Sequence, residues 1–350
     1  MTLPTQTPYG LEFPCGPVAA GADCTPGLKL DGTSAQVNQS LGVIRYIYWG
    51  TDSSYNGLNV NIDKRFSHGF QYQVAYTFAK SLDDNSQTIA GDSFANAINS
   101  PWWFNPKYFK GPSDFNIAHN LTINGLYEIP TPKSWTGVTK AALGGWELGS
   151  IVSINSGGVT TPIITGDPLG LGNSGADQFG LPNYVPSCDP INHGFAGSPK
   201  GKPLYLNLNC FAAPSVPTTA LASLPYPCAS TAFSGAVVAA GQTPCANLAG
   251  TVGRNSITGP RYFNLDFSIL KTFPITRISE SFNVQFRAEM FNITNHDNFV
   301  PPQPDSGDSG ADVLNTDGSF NASTPSNLGG QMFRYATTPR EIQFALKVNW

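Results

Sequence analysis

The sequence predicts an all-β protein, an antiparallel transmembrane β-barrel of about eight strands. Three observations predict it: period-two segments of membrane-spanning length, connections sorted by length, and aromatic rings at segment ends. The alternation is clearest at 338–350, where Ile342, Phe344, Leu346, Val348 and Trp350 share one parity. Glu341, Gln343, Ala345, Lys347 and Asn349 share the other. In a strand the two parities point to opposite faces. One face is therefore apolar and the other polar, as between lipid and a wet lumen, because Lys or Arg at mid-depth on the lipid side costs roughly 2–4 kcal/mol.

Taken in chain order, the first segment, 41–48, is the weakest, since its faces are not cleanly separated. The next, 55–66, sets Leu58, Val60 and Ile62 against Asn59, Asn61 and Asp63. Over 69–80, Phe70, Tyr72, Val74, Tyr76 and Phe78 oppose Gln71, Gln73, Ala75, Thr77 and Ala79. Over 116–129, Leu121, Ile123, Tyr127 and Ile129 oppose Asn120, Thr122, Asn124 and Glu128. Segment 146–155 follows, and then 262–273, with Phe263, Leu265, Phe267 and Ile269 against Asn264, Asp266 and Ser268. Over 281–290, Phe282, Val284, Phe286, Ala288 and Met290 oppose Asn283, Gln285, Arg287 and Glu289. No segment has comparable helical periodicity.

With Trp350 on the periplasmic side, the connections 67–68, 130–145 and 274–280 fall on that side and the long ones, 81–115, 160–260 and 299–337, fall outside. Only 50–54 is a short outer connection. Short periplasmic turns with long outer loops are the asymmetry of outer-membrane barrels. Phe70, Trp146, Phe273, Phe282 and Trp350 sit beside the periplasmic boundary, and Tyr48, Trp49, Phe78 and Tyr262 near the outer one, where amphipathic rings favour the headgroup level. The competing reading of these rings is the core of a β-sandwich.

Composition narrows the classes. A chain of 350 residues makes one large or two ordinary domains. Charged residues are 12%, about half the soluble norm, while 36 Gly, 29 Pro and 12% aromatics are plentiful; few charges without a low aromatic content argue against disorder. No run approaches the roughly 18 apolar residues of a membrane helix, so a membrane reading requires a barrel. A net charge of -4 gives no footprint for nucleic acid. The opening MTLPTQTPYGLEFPCG has neither basic n-region nor apolar h-region, so an exported chain would be mature or a piece of something longer.

Cys15, Cys24, Cys188, Cys210, Cys228 and Cys245 all lie in Gly/Pro-rich segments, which points to disulfides in an oxidising compartment. No CxxC pair supports zinc. Cys188 with Cys210 and Cys228 with Cys245 would staple two sub-loops by about 3 kcal/mol each. Four cysteines allow three connectivities, and the sequence does not choose.

GLGNSG, with Gly170, Gly172 and Gly175, matches a dinucleotide fingerprint, but ADQFGLPNYVP follows where a helix is needed, so a flexible outer loop is the reading. Asp305, Asp308 and Asp312 lack the Glu of a calcium loop and read as solvated turn residues. His68, His119, His193 and His296 are scattered. The polar set of interest is lumen-facing: Asp63, Glu128, Glu147, Asp266, Arg287, Glu289, Glu341 and Lys347. Such residues hydrogen-bond across strands and hold register, and Lys347 is within reach of Arg287 or Glu289. No Ser/His/Asp, Cys/His or paired-carboxylate arrangement is present, so neither an enzyme, a cofactor nor a metal site is expected.

The runs SSYNGLNVNIDKRFSHGFQYQVAYTFAKSLDD, DFNIAHNLTINGLYEIP, GGWELGSIVSINSG, VGRNSITGPRYFNLDFSILKTFPI, FNVQFRAEMFNITNHDNF and PREIQFALKVNW, in that order, resemble the C-terminal barrel of Oar-like TonB-dependent outer-membrane receptors. The likeness covers roughly 41–350 apart from loop interiors. Such receptors carry a signal peptide, often a carboxypeptidase-regulatory-like β-sandwich, a plug and a barrel of about 22 strands. No plug is recognisable here. The resemblance therefore implies the last third of a receptor: 1–40 as a poorly structured loop remnant and 41–350 as the C-terminal part of the barrel. It implies an outer-membrane location and contact with outer-membrane lipid. It further implies an unknown ligand and a TonB system acting through a plug missing from this chain. The terminal Phe344, Leu346, Val348 and Trp350 resemble the signal read by the barrel-assembly machinery. Two alternatives remain at this stage: a small closed barrel serving as adhesin or surface scaffold, and a secreted β-sandwich that binds carbohydrate.

Overall fold

The computed structural model describes residues 4–14, 50–86, 105–166, 168–169, 179–195, 203–275, 277, 282–302, 311–321, 329–332 and 335–350. Seven long strands run through it: β1 (Ser53–Ser67), β2 (Phe70–Asp83), β3 (His119–Glu128), β4 (Trp146–Asn155), β5 (Tyr262–Pro274), β6 (Asn283–Phe291) and β7 (Glu341–Asn349). Even β6 and β7, with nine residues each, are long enough to cross a bilayer when tilted. The segment 41–48 lies outside the described residues. The seven strands form one antiparallel sheet in chain order, with β1 and β7 as its two edges. These edges do not pair with each other, so among the described residues the sheet is open.

Register turns seven separate alternations into two continuous surfaces. Val60 stands opposite Tyr76, Tyr76 opposite Leu121, Leu121 opposite Ile154 and Ile154 opposite Phe263. Further along, Ile269 faces Ala288 and Ala288 faces Phe344. Apolar side chains thus share one face across all seven strands, because a slip of one residue would reverse a whole strand. The acidic side chains of the strands, Asp63, Asp83, Glu128, Glu147, Asp266, Glu289 and Glu341, all fall on the other face. The β1–β2 turn fixes its register with two left-handed residues, His68 (φ 55°) and Gly69 (φ 74°), the pairing that a two-residue hairpin favours.

The apolar face has no second layer. Phe344 is 72% exposed and Leu346 73%, and Leu58, Ile62 and Phe78 are also exposed. A β-sandwich would bury these side chains against another sheet, so that alternative does not hold. The dry core lies instead in the outer connections. Ile164, Leu206, Phe211, Phe233, Val252 and Val313 form one buried cluster, and Phe13, Phe109, Ile163 and Phe179 belong to a second.

Two features of this outer mass are absent from the sequence reading. The first lies within 1–40, read as a poorly structured loop remnant: Thr5–Thr7 and Gly10–Glu12 form a hairpin, and Phe13 after it is fully buried. Asn247 donates to the Phe13 carbonyl (3.1 Å), and the Phe13 amide donates to the Asn247 carbonyl (2.8 Å). The second is that two of the long loops pair with each other. Pro162–Thr165 pairs in parallel with Ala311–Leu314, interlocking the two longest loops. The Gly170 to Gly175 motif, Asp305 and Asp308 lie outside the described residues. A third difference is on the periplasmic side, where the connection between β3 and β4 contains a seven-residue helix, α1 (Gly137–Leu143). Two turns are too few to print a helical period, and one of the two side chains that hold α1, Lys271, lies far away in sequence.

Candidate functional site: lumen wall and outer mouth

The polar face is built from cross-strand pairs that the register brings side by side. Thr77 Oγ1 donates to Asn59 Oδ1 (2.8 Å), Asn349 Nδ2 to Asn283 Oδ1 (2.7 Å) and Gln343 Nε2 to Glu289 Oε2 (2.5 Å). Arg287 lies 3.8 Å from Glu289. Lys347 stands opposite Gln285 and, among the described residues, forms no ion pair with either of them. Asp266 accepts from the Asn264 side chain (2.9 Å) and the Asn292 amide (2.9 Å). Asp63 faces Gln73, and Glu341 faces Phe291. Glu128 and Glu147 stand directly opposite each other and, with His68 and Trp146, line a cavity of about 390 Å³ at the periplasmic rim. The eight candidates therefore share a face without forming one cluster. They make a polar wall, and no group of His, Cys, Asp or Glu among the described residues is arranged to hold a metal.

Near the outer end of the same face, Tyr55, Phe115 and Ile117 combine with Thr77, Ser81, Asn116 and Asn120 around a groove of about 190 Å³. Aromatic faces beside neutral donors and acceptors suit a partly apolar, hydrogen-bonding ligand.

The strongest electrostatic feature lies above this groove, and sequence reasoning missed it. Arg254 is completely buried between Asp83 at the end of β2 (2.6 Å) and Asp114 before β3 (2.8 Å). Its Nη2 also donates to Ser86 (2.7 Å), and Asn255 Nδ2 donates to Asp114 (2.6 Å). Burial pushes the Asp114 carboxyl above the usual range, and the Arg254 guanidinium opposes that rise. Three outer segments are thus bolted to one guanidinium, whose planar fork can serve two carboxylates at once. The available signal was the presence of charges within Gly/Pro-rich connections of a chain so poor in charge.

Two disulfides close sub-loops of the outer mass, Cys188–Cys210 and Cys228–Cys245, which selects one of the three connectivities. Cys15 and Cys24 lie outside the described residues. Of the histidines, His119 bonds Tyr76 (2.8 Å) and stacks on Phe78, His193 bonds Asp189 (3.1 Å), and His296 lies near Asn298 (3.2 Å). None of them joins a metal-holding group among the described residues.

A sheet with one continuous apolar face exposed, one polar face and a folded mass on the side of the long connections defines a β-barrel protein of the outer membrane. The chain belongs to the outer membrane beta barrel domain family, whose model matches residues 16–343. Neither the curated proteins nor the solved structures compared with the chain contain a match.

Proposed function

We propose that this chain is the C-terminal barrel portion of a TonB-dependent, Oar-like receptor that takes up a ligand across the outer membrane. The observation that carries this reading is the open sheet. Among the described residues, β1 and β7 each present an unpaired backbone edge, and in hydrocarbon every unsatisfied amide or carbonyl costs several kcal/mol. In this reading further strands close the wall. A larger barrel also explains the extensive polar face, since a closed barrel of about eight strands has a lumen filled by its own side chains. The resemblance of the strand sequences to Oar-like receptors supplies the rest: a plug in the lumen, the TonB system acting on it, and assembly machinery reading the strand that ends at Trp350. No residue is assigned a catalytic role.

The test is the size of the native polypeptide. Antiserum raised against the outer mass, used on outer membranes of the native host, should detect a chain long enough for about 22 strands and a plug. A native product of only 350 residues would overturn the receptor reading and favour a small barrel acting as surface scaffold.

A further inference from the structure

Helix α1 sits on the lipid side of the sheet. Lys271 of β5 lies on the apolar parity, directly opposite Trp146 of β4 and Phe286 of β6. Instead of reaching lipid it is buried, with its ammonium donating to the carbonyls of Ala142 (2.8 Å) and Gly144 (2.7 Å). It also lies over the Trp146 ring (4.9 Å) and the Phe273 ring (5.0 Å). Trp146 donates its indole N–H to the same Ala142 carbonyl (3.1 Å). Two side chains of the apolar face therefore grip the C-terminal end of α1, which fixes the helix against that face at the level of the periplasmic aromatic rings.

The exposed apolar side chain of α1 is Val138, 84% exposed, and no side chain of the helix is buried. Leu143, 54% exposed, points roughly 140° away from Val138, at the end held by Lys271. Val138 and Lys140 are roughly 200° apart around the helix, on opposite sides. Segment 129–146 contains Lys133 and Lys140 and no acidic residue. A second lysine on the apolar parity, Lys64, sits near the same end of β1. It bonds the carbonyls of Ser67 (3.0 Å) and Phe70 (2.8 Å).

We propose that α1 is an in-plane anchor in the inner leaflet of the outer membrane. Val138 enters the acyl boundary, and Lys133 and Lys140 meet the phosphates of anionic phospholipid. The occupant is phospholipid because the helix is fixed against the lipid-facing belt, its charge is wholly positive, and rings and amphipathic side chains collect at the headgroup level. Lys271 is the positioning residue that holds the helix there.

The test places a bimane fluorophore at Val138→Cys in the polypeptide as the native host makes it, with Cys15→Ser and Cys24→Ser. The protein is purified from outer membranes and reconstituted in vesicles of phosphatidylethanolamine and phosphatidylglycerol. Nitroxide-labelled lipid should quench bimane at 138 strongly and iodide weakly, as at the belt control Leu346→Cys, whereas the lumen control Gln343→Cys should show the reverse. Iodide quenching at 138 beside lipid quenching at 346 would overturn the anchor. Iodide quenching at both would overturn the membrane orientation of the sheet itself. Nitroxide phosphatidylglycerol should quench at 138 better than nitroxide phosphatidylcholine, and Lys133→Gln with Lys140→Gln should reduce that preference by about fivefold per lysine. Equal quenching by the two lipids would overturn the anionic preference.

Discussion

At the scale of single residues, Arg254 and Glu12 show how a charge-poor chain stakes its outer mass on very few charges. Replacing Arg254 by Ala leaves Asp83 and Asp114 buried without their cation, which costs roughly 3–5 kcal/mol. The melting transition of the outer mass, followed by near-ultraviolet circular dichroism in detergent, should fall accordingly. Arg254→Met combined with Asp83→Asn and Asp114→Asn should recover most of the loss. Glu12 is fully buried, and desolvation pushes its carboxyl up to about 7, against a smaller opposing pull from the Tyr226 backbone. The folded state therefore holds this proton more tightly than the unfolded chain, whose value is near 4.5. Its contribution is fully present below pH 4.5 and is lost as pH rises through 7. Melting temperatures measured from pH 4 to pH 8 should fall with pH in the native chain, and Glu12→Gln should flatten that slope.

At the scale of elements, the two faces of the sheet make opposite demands on the same substitution. Phe286 and Leu346 are cross-strand partners on the lipid face, and Gln285 and Lys347 are the adjoining pair on the lumen face. Arginine at Phe286 or Leu346 should impair assembly by roughly 2–4 kcal/mol at mid-depth, while arginine at Gln285 or Gln343 should be tolerated. Heat-modifiable migration of the native polypeptide in outer membranes measures both, and equal tolerance would contradict the face assignment. The strands and their faces were legible in the sequence because period-two patterning is local, and every strand announces its own parity. The same logic could not place Lys271. Read by parity alone it is a charge in lipid, and only the carbonyls of Ala142 and Gly144 make the position tenable. Helix α1 was likewise illegible, being held by Trp146 and Lys271 and not by a repeat of its own.

At the scale of the whole molecule, the arrangement of a soluble protein is divided between two places. The membrane sheet supplies regular hydrogen bonding with no dry interior, and the outer mass supplies the dry interior with few regular strands. Sequence reading found the first half and treated the second as loops. The outer mass is made of strands of two to four residues and of contacts such as Arg254 to Asp83, 171 positions apart, which leave no local trace. The ladder between Pro162–Thr165 and Ala311–Leu314 spans about 150 positions and runs parallel. Long-range pairing of this kind is slow to form, because closure entropy must be overcome before any contact repays it. Its second strand is also synthesised late, shortly before β7 itself. The surface that meets the outside world is therefore expected to be the slowest part of the molecule to form, because two segments about 150 positions apart must meet before its ladder exists.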